Sequence, residues 1–486
     1  MKEKIFPTVF DSFIPGNLDN LRKDLRNHYA RQWQLIGQRH PVEGLLDQYD
    51  KAHPGLNAYQ LKAAQYKILA ENMKTVIFDD SPFYYVNDLC RGPQAGFPYY
   101  SAGGWLLRRN EHFCRDDGPE DYDRYMGMKE SLLFTGSGLY FDVMHYCYPI
   151  SNIVNHGLKY YYEKAKEQLT GCKNETEYDF LQCAIAGLEA AKLVSERFSQ
   201  QAKERLSQVT DPRQRKFLKM IAETAARVPW EKPEHFYEGL NTLWFCRNLL
   251  GELDGIGNSH LGRPDLILRD MYKKDIDTGY ITREEAYDLV SRFLLHGDCE
   301  YDKDNTVLHQ NDHELEMGYV LGGYDSQGHD VYNEITTMFI RSHRAQNLIY
   351  PKPHYRFNKL SSKEYLDDIS YDYINGRSIG GLINDDSIIP VLVKAGKSIE
   401  DARQYINYGC WGIVVEGMEN TTGGNFIHLL SAMERTVYGD NEICKRIGVH
   451  FDPIDEAKSF EEKEGWIGAI GKAMVKTGNN VFMGNV

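Results

Sequence analysis

The sequence predicts an α/β fold: a mainly helical region over residues 1–254, then strands alternating with helices over 255–486, in one integrated domain. Three observations carry this. Apolar residues recur at helical spacing through the first half. Short apolar runs bounded by Gly and Pro alternate with amphipathic stretches in the second half. Hydrophobic residues make up 42% and charged residues 26% of the chain, enough to build a large buried core.

Residues 175–207 show one long helical face. An Asp-Pro break at 211–212 opens a second helix, TDPRQRKFLKMIAETAARV (210–228). A third, WEKPEHFYEGLNTLWFCRNLLGEL (230–253), follows Pro229. GIGNSHLGRPD (255–265) reads as a Gly-rich loop. Beyond it, MGYVLGG (317–323), PKPHYRF, SIGGLIND (378–385) and INYGCWG (406–412) have strand character. Helices are predicted between them over 331–346, 362–375, 385–396 and 398–406.

A formal charge of −14 argues against a nucleic-acid or anionic-membrane surface. No apolar run approaches the ~20 residues a membrane span needs. The N-terminal MKEKIFPTVFDSFIPGN lacks the features of a signal peptide, so a cytoplasmic location is expected. The nine cysteines are dispersed, with no CxxC pair, which fits neither a disulfide framework nor a metal site. Tyrosine is abundant at 33 residues, which reads as amphipathic packing with hydroxyls reaching partners.

One cysteine stands apart. Cys410 follows Gly409 and precedes Trp411 and Gly412, at the end of an apolar segment where it enters a loop. Loops at strand ends are where α/β proteins place chemistry. Its surroundings carry a resemblance. RVPWEKPEHFYEGLNTLWF (227–245), GIGNSHLGRPDLILRDMYKKDIDTGYITREEAYDLV (255–290), VLGGYDSQGHDVYNEIT (320–336) and GRSIGGLINDDSIIPVLVKAGKSIEDARQYINYGC (376–410) occur in one order. Together they resemble the glycyl radical enzymes of the pyruvate formate-lyase type, over about residues 80–465.

That resemblance implies a helical N-terminal layer plus the first half of a ten-stranded α/β barrel, with a finger loop carrying a cysteine at its tip. It makes Cys410 the catalytic thiol. A backbone glycyl radical takes the thiol hydrogen, and the thiyl radical abstracts hydrogen from substrate inside a dry barrel. The family's radical glycine lies in an Arg-Val-x-Gly-Tyr/Phe motif near its C-terminus, and no such motif follows Cys410 here. The expectation is therefore a split enzyme. No metal or cofactor binds this chain directly. A second subunit supplies the glycyl radical loop and the remaining strands, and a radical-SAM activase holding a [4Fe–4S] cluster installs the radical. Eliminating members carry Gly-Cys-x-Glu, but position 412 is Gly. Glu416 is the candidate for a displaced catalytic base, against a capping or solvated role; Glu419 reads as solvated or capping.

The resemblance also places a histidine at His145, with Asp142 nearby, where family members bind substrate. Asn258, Ser259 and His260 offer neutral hydrogen bonds from the Gly-rich turn, or serve the turn itself. Arg263 and Asp265 read as a structural pair. His354 and Arg356 share one strand face; Arg356 suits a two-pronged grip on an anionic substrate, or pairs with an acidic residue of the protein. Asn384 and Asp385 are positioned to cap the following helix. Tyr408 and Trp411 flank the thiol and read as pocket walls. The expected activity is hydrogen abstraction and bond cleavage on a small polar or anionic metabolite. The alternatives are an eliminase using Glu416 and a non-catalytic binding or regulatory relative.

Overall fold

The computed structural model describes residues 16, 18–35, 38–85, 88–89, 101–109, 134–135, 147–255, 260–300, 317–377, 379–408, 412–419, 426–427, 430 and 441–446. Helices dominate the first half: α1 (Asp19–Gln34), α2 (Val42–Ala52) and α3 (Ala58–Asn72), then, after the two-residue strand β1 (Phe134–Thr135), α4 (Ile150–His156), α5 (Leu158–Leu169), α6 (Glu175–Leu206), α7 (Pro212–Thr224) and α8 (Phe236–Asp254). There follow α9 (Pro264–Ile267), α10 (Arg269–Asp277), α11 (Arg283–Cys299), β2 (Gly318–Gly322), α12 (Glu334–Ala345), β3 (Lys352–Phe357), α13 (Lys363–Ile374) and β4 (Gly381–Asn384). The chain continues through α14 (Asp385–Lys394), α15 (Ile399–Ala402), β5 (Tyr405–Tyr408), β6 (Gly412–Val415), β7 (Phe426–Ile427) and α16 (Glu442–Arg446).

Two units emerge: residues 1–106 with 144–421, and 107–143 with 422–486. In the second, β1 and β7 pair antiparallel. The first holds α1–α15 and β2–β6. The 254/255 change of texture lies inside the first unit, where Trp244 and Phe245 of α8 share one core with Phe293 and Leu294 of α11. Trp244 and Phe293 meet edge to face at 6.1 Å. Burying each such side chain stabilises by roughly 1.5–3 kcal/mol.

Local chemistry sets the helix ends. Asn174 caps α6, accepting from the Glu177 N–H at 2.8 Å. Acidic residues open α6 and Lys203 and Arg205 close it, matching the helix dipole. Asp211 caps α7, with Pro212 in its first turn. α8 starts later than the periodicity suggests, at Phe236. The Glu238 carboxylate reaches back to the N–H groups of Glu234 and His235 and fixes the start there.

β2, β3 and β4 form a parallel sheet in that order, with Gly318 opposite Lys352 and His354 opposite Gly381. α12 and α13 make the crossovers. Every residue of β2 is buried, as a strand covered on both faces requires. On its other side the 260–262 segment runs alongside: Leu261 N–H donates to the Gly318 carbonyl and Val320 N–H to that of Gly262, each at 2.9 Å. β5 and β6 form a separate antiparallel hairpin, seated on β2 through Ile406, Val414 and Val320. The helix expected over 398–406 stops at Ala402, because the Arg403 and Tyr405 carbonyls are taken by a side chain instead of by helix amides.

Gly322 ends β2 at φ +69°, and a Cβ there would lie 2.5 Å from the Tyr365 hydroxyl and 2.6 Å from the Arg356 carbonyl. Gly322→Ala is expected to destabilise the protein by about 2–4 kcal/mol, combining left-handed backbone strain and overpacking. A denaturation midpoint matching the parent would refute this. Among the described residues, no helix is long and apolar enough to cross a membrane.

Candidate functional site

In the chain Cys410 falls between β5 and β6. Tyr408 pairs with Gly412 and Tyr405 with Val415, which makes Tyr408 and Gly412 the last ladder pair before residues 409–411. Cys410 and Trp411 lie outside the described residues, as does the side chain of Tyr408. So do His145, Asp142, Asn258 and Ser259. What the structure resolves is how the hairpin is held at its root.

The first leg is held by Arg356. This guanidinium, fully buried on β3, donates Nε to Asp385 Oδ1 at 2.7 Å and Nη2 to Asp385 Oδ2 at 2.9 Å. Nη1 donates to the Tyr405 carbonyl at 2.8 Å and Nη2 to that of Arg403 at 2.9 Å. The guanidinium also sits 3.9 Å from the centroid of the Tyr405 ring. The Tyr405 hydroxyl closes the knot, donating to Asp385 Oδ1 at 2.6 Å. This corrects the substrate-binding expectation for Arg356. Four of its five N–H donors are engaged by protein groups and none of it reaches solvent, so it cannot make a two-pronged contact with an anion. Asp385 likewise is the ion-pair partner and not the helix cap; Asn384 caps α14, accepting from the Asp386 N–H at 3.0 Å.

Arg263 and Asp265 brace the same knot through Gly322. Arg263 Nη2 donates to the Gly322 carbonyl and Asp265 accepts from the Gly322 N–H, each at 2.7 Å. Burial pushes the Asp265 carboxyl up to about 6 and brings Arg263 down to about 10, with the neighbouring Arg356 charge adding to the latter.

The second leg is held by Glu416, one residue beyond β6. Its Oε1 accepts from the Ser151 N–H at 2.6 Å and its Oε2 from the Ser151 hydroxyl at 2.9 Å. Desolvation pushes this carboxyl up to about 7, against the opposing pull of both Ser151 bonds. A four-residue strand separates Glu416 from residues 409–411, about 13 Å at ~3.3 Å per residue. A base must lie within hydrogen-bond reach of the proton it takes. Glu416 thus holds the root of the second leg through Ser151, and its relation to Cys410 lies outside the described residues. Glu419 is structural too, paired with Lys397 and accepting from the Val415 N–H at 3.0 Å.

Glu416→Gln tests this latch. The unfolded carboxyl titrates near 4.5 and the folded one near 7, so the folded state binds the extra proton between them. Its contribution to stability is fully present below about pH 4.5 and is lost as pH rises toward 7. The variant is expected to lose up to one proton's worth of pH dependence, about 1.4 kcal/mol per pH unit, over that window. Parallel stability–pH curves for variant and parent would refute it.

His260 is brought to the same neighbourhood. A Cβ at Gly262 would lie 3.8 Å from Glu416 Oε2, and His260 Nδ1 accepts from the Gly262 N–H at 2.7 Å. Burial lowers the His260 pKa to about 3, so the ring is neutral with its proton on Nε2. That buried Nε2 has no hydrogen-bond partner among the described residues. A neutral donor without a partner fits the substrate-binding expectation for this residue. Asn407 on β5, also buried, has an unpartnered Oδ1, three residues before Cys410. Sequence reading missed Asn407, Ser151, Tyr405 and the partner role of Asp385. Only the strand position of Asn407 in the run toward Cys410 offered a signal.

The model of the family described as pyruvate formate lyase-like matches residues 105–464. Isethionate sulfite-lyase of Oleidesulfovibrio alaskensis is 27% identical over 373 residues, covering 72% of this chain and 44% of that protein. A structure describing 1,2-propanediol dehydration in Roseburia inulinivorans superposes with a TM-score of 0.77 at 20% identity, over 96% of this chain and 63% of that one. A glycyl radical enzyme from Archaeoglobus fulgidus gives 0.71 at 20% identity, over 94% and 64%. The chain thus spans under half the length of that curated relative and under two thirds of those two structures. The likeness establishes the fold as part of the expected α/β barrel with its helical layer. By the family match over most of its length, this chain belongs to the pyruvate formate lyase-like family of glycyl radical enzymes.

Proposed function

We propose that this chain is the thiyl-bearing part of a glycyl radical enzyme that cleaves a small polar or anionic metabolite after hydrogen abstraction by Cys410. The observation that carries this reading is the hairpin: residues 409–411 lie between two short strands whose root is held on both legs. Such a clamp is what a thiol that exchanges hydrogen with two partners in turn requires, since reacting atoms must be held near contact distance. His260 supplies a neutral donor for a substrate oxygen. The relative that cleaves isethionate makes a C–S or other C–heteroatom bond the expected target.

In this reading a second polypeptide brings the glycyl radical loop and the remaining strands, and a radical-SAM activase with a [4Fe–4S] cluster installs the radical. β4 is the outer strand of the described sheet, and Leu382 on it and Val391 on α14 are 48% and 64% exposed. An open edge beside exposed apolar side chains favours a covering polypeptide.

The test is the native mass of the protein purified without oxygen from its own cells, followed by activation. A stoichiometric second chain, with an organic radical signal and turnover that need both chains, is expected. Turnover by this polypeptide alone overturns the two-chain part; an activated complex that turns over no C–heteroatom substrate points to the non-catalytic alternative.

A further inference from the structure

The sheet face beneath the hairpin carries a second cation. Residues opposite each other in a ladder share a face, and alternate residues return to it. By the register, Gly318, Val320 and Gly322 of β2 share one face with Lys352, His354 and Arg356 of β3. Val320 and Arg356 touch the hairpin, so this is the face on which it sits. The two cations of these strands differ in place. Arg356 is fully buried in the knot at the root. Lys352 lies four residues earlier on β3 and is half-buried.

Three contacts fix which way the hairpin runs over this face. Arg403 Nη1 donates to the Ser326 carbonyl, past the end of β2, at 3.1 Å. The Tyr405 carbonyl is held by Arg356, which stands opposite Gly322. Ile406 packs on Val320, two residues further back. β5 therefore runs antiparallel to β2, from its C-terminal end toward Gly318 and Lys352. The ladder with β6 reaches Tyr408 and Gly412, two residues beyond Ile406. Gly318 and Lys352 lie two residues beyond Val320 and His354. Both steps are about 7 Å at ~3.3 Å per residue, so Lys352 stands at the level of the ladder's far end.

The side chains beside it carry no charge. Gly318 faces Lys352 across the ladder, and the His354 ring leans over that glycine, where a Cβ would meet Cδ2 and Nε2 at 2.9 Å. Burial, and after it the charge of Lys352, lowers the His354 pKa to about 4, so the ring is neutral.

We propose that Lys352 sets the substrate class: its ammonium holds the sulfonate or carboxylate of a small anion lying at the far end of the hairpin ladder. The inference rests on reading the chain as part of a glycyl radical enzyme, and it gives Lys352 the anion contact that Arg356 cannot make.

The probes are isethionate and 3-hydroxypropionate, a sulfonate and a carboxylate on the same hydroxyethyl body, and the neutral 1,2-propanediol. Each is titrated by calorimetry into the protein purified without oxygen from its own cells, before activation. At least one anion is expected to bind saturably, about tenfold or more tighter than the diol. Lys352→Gln is expected to weaken that anion by about tenfold or more and to leave the diol unchanged. Lys352→Arg, which keeps the charge, is expected to stay within about threefold of the parent. Melting curves report whether each variant folds. In the parent itself, anion affinity is expected to fall as salt rises while that of the diol holds; a flat salt dependence overturns the charge contact whatever the variants do. Equal anion affinity in folded Lys352→Gln, tighter binding of the diol, or no binding of either anion overturns the assignment. A complex that turns over the diol and binds neither anion sinks this inference and leaves the radical-enzyme reading standing. One that binds an anion through Lys352 but never turns over after activation does the converse.

Discussion

Cys410→Ser is expected to reduce turnover of the activated complex by at least about 10³-fold, or about 4 kcal/mol of barrier at 1.36 kcal/mol per decade. The reason is bond strength and not shape. Serine is nearly the same size, but its O–H bond is too strong to give up hydrogen reversibly to a carbon radical. The hairpin itself is expected to persist, since its root contacts lie at Tyr405 and Glu416. Near-parent melting with no turnover is the expected combination. Measurable turnover by the serine variant, with the glycyl radical present, would remove the thiyl mechanism.

Arg356→Leu is expected to destabilise the protein by about 3–5 kcal/mol. The loss leaves Asp385 charged and buried without its cation, takes the Arg356 donor from the Tyr405 carbonyl, and leaves the Arg403 carbonyl only the longer bond from Arg263 Nη1 at 3.3 Å. The double variant Arg356→Leu/Asp385→Leu is expected to recover part of this, because no unpaired buried charge remains. Recovery should be incomplete, since the Tyr405 hydroxyl and the Tyr324 N–H also donate to Asp385. Arg356→Lys should fall between, as an ammonium cannot make the bidentate contact. A single variant that unfolds at the parent's denaturant midpoint would show that the knot contributes nothing in solution.

The helices and the positions of the strands along the chain were legible because their signals are local. Alternating runs marked β2, β3 and β4, and Asp-Pro marked the start of α7. Helix ends were less so: α8 begins where Glu238 reaches back, and α15 stops where a side chain 47 residues away claims a carbonyl. At the candidate site the sequence pointed to the turn that carries His260, while Cys410 lies outside the described residues. The site was not legible in roles set by long-range pairing. Arg356 on a strand face looks the same in sequence whether it meets a ligand or Asp385. Glu416 directly after Val414 and Val415 gives no hint that Ser151, 265 residues earlier, will hold it.

The root of the thiol hairpin invites a mechanical reading. Tyr405 and Val415 face each other in the ladder, and the two legs are gripped at that level, one through a carbonyl and one through the next side chain. A beam clamped at one end deflects at its tip roughly as the cube of its free length. With only four residues per strand the ladder is about 13 Å long, so thermal bending between its root and the Tyr408–Gly412 pair stays small. Lengthening each leg by two residues would make the beam about half as long again and its tip roughly three times more compliant. Short strands and a double grip thus set the stiffness with which a reactive atom can be aimed.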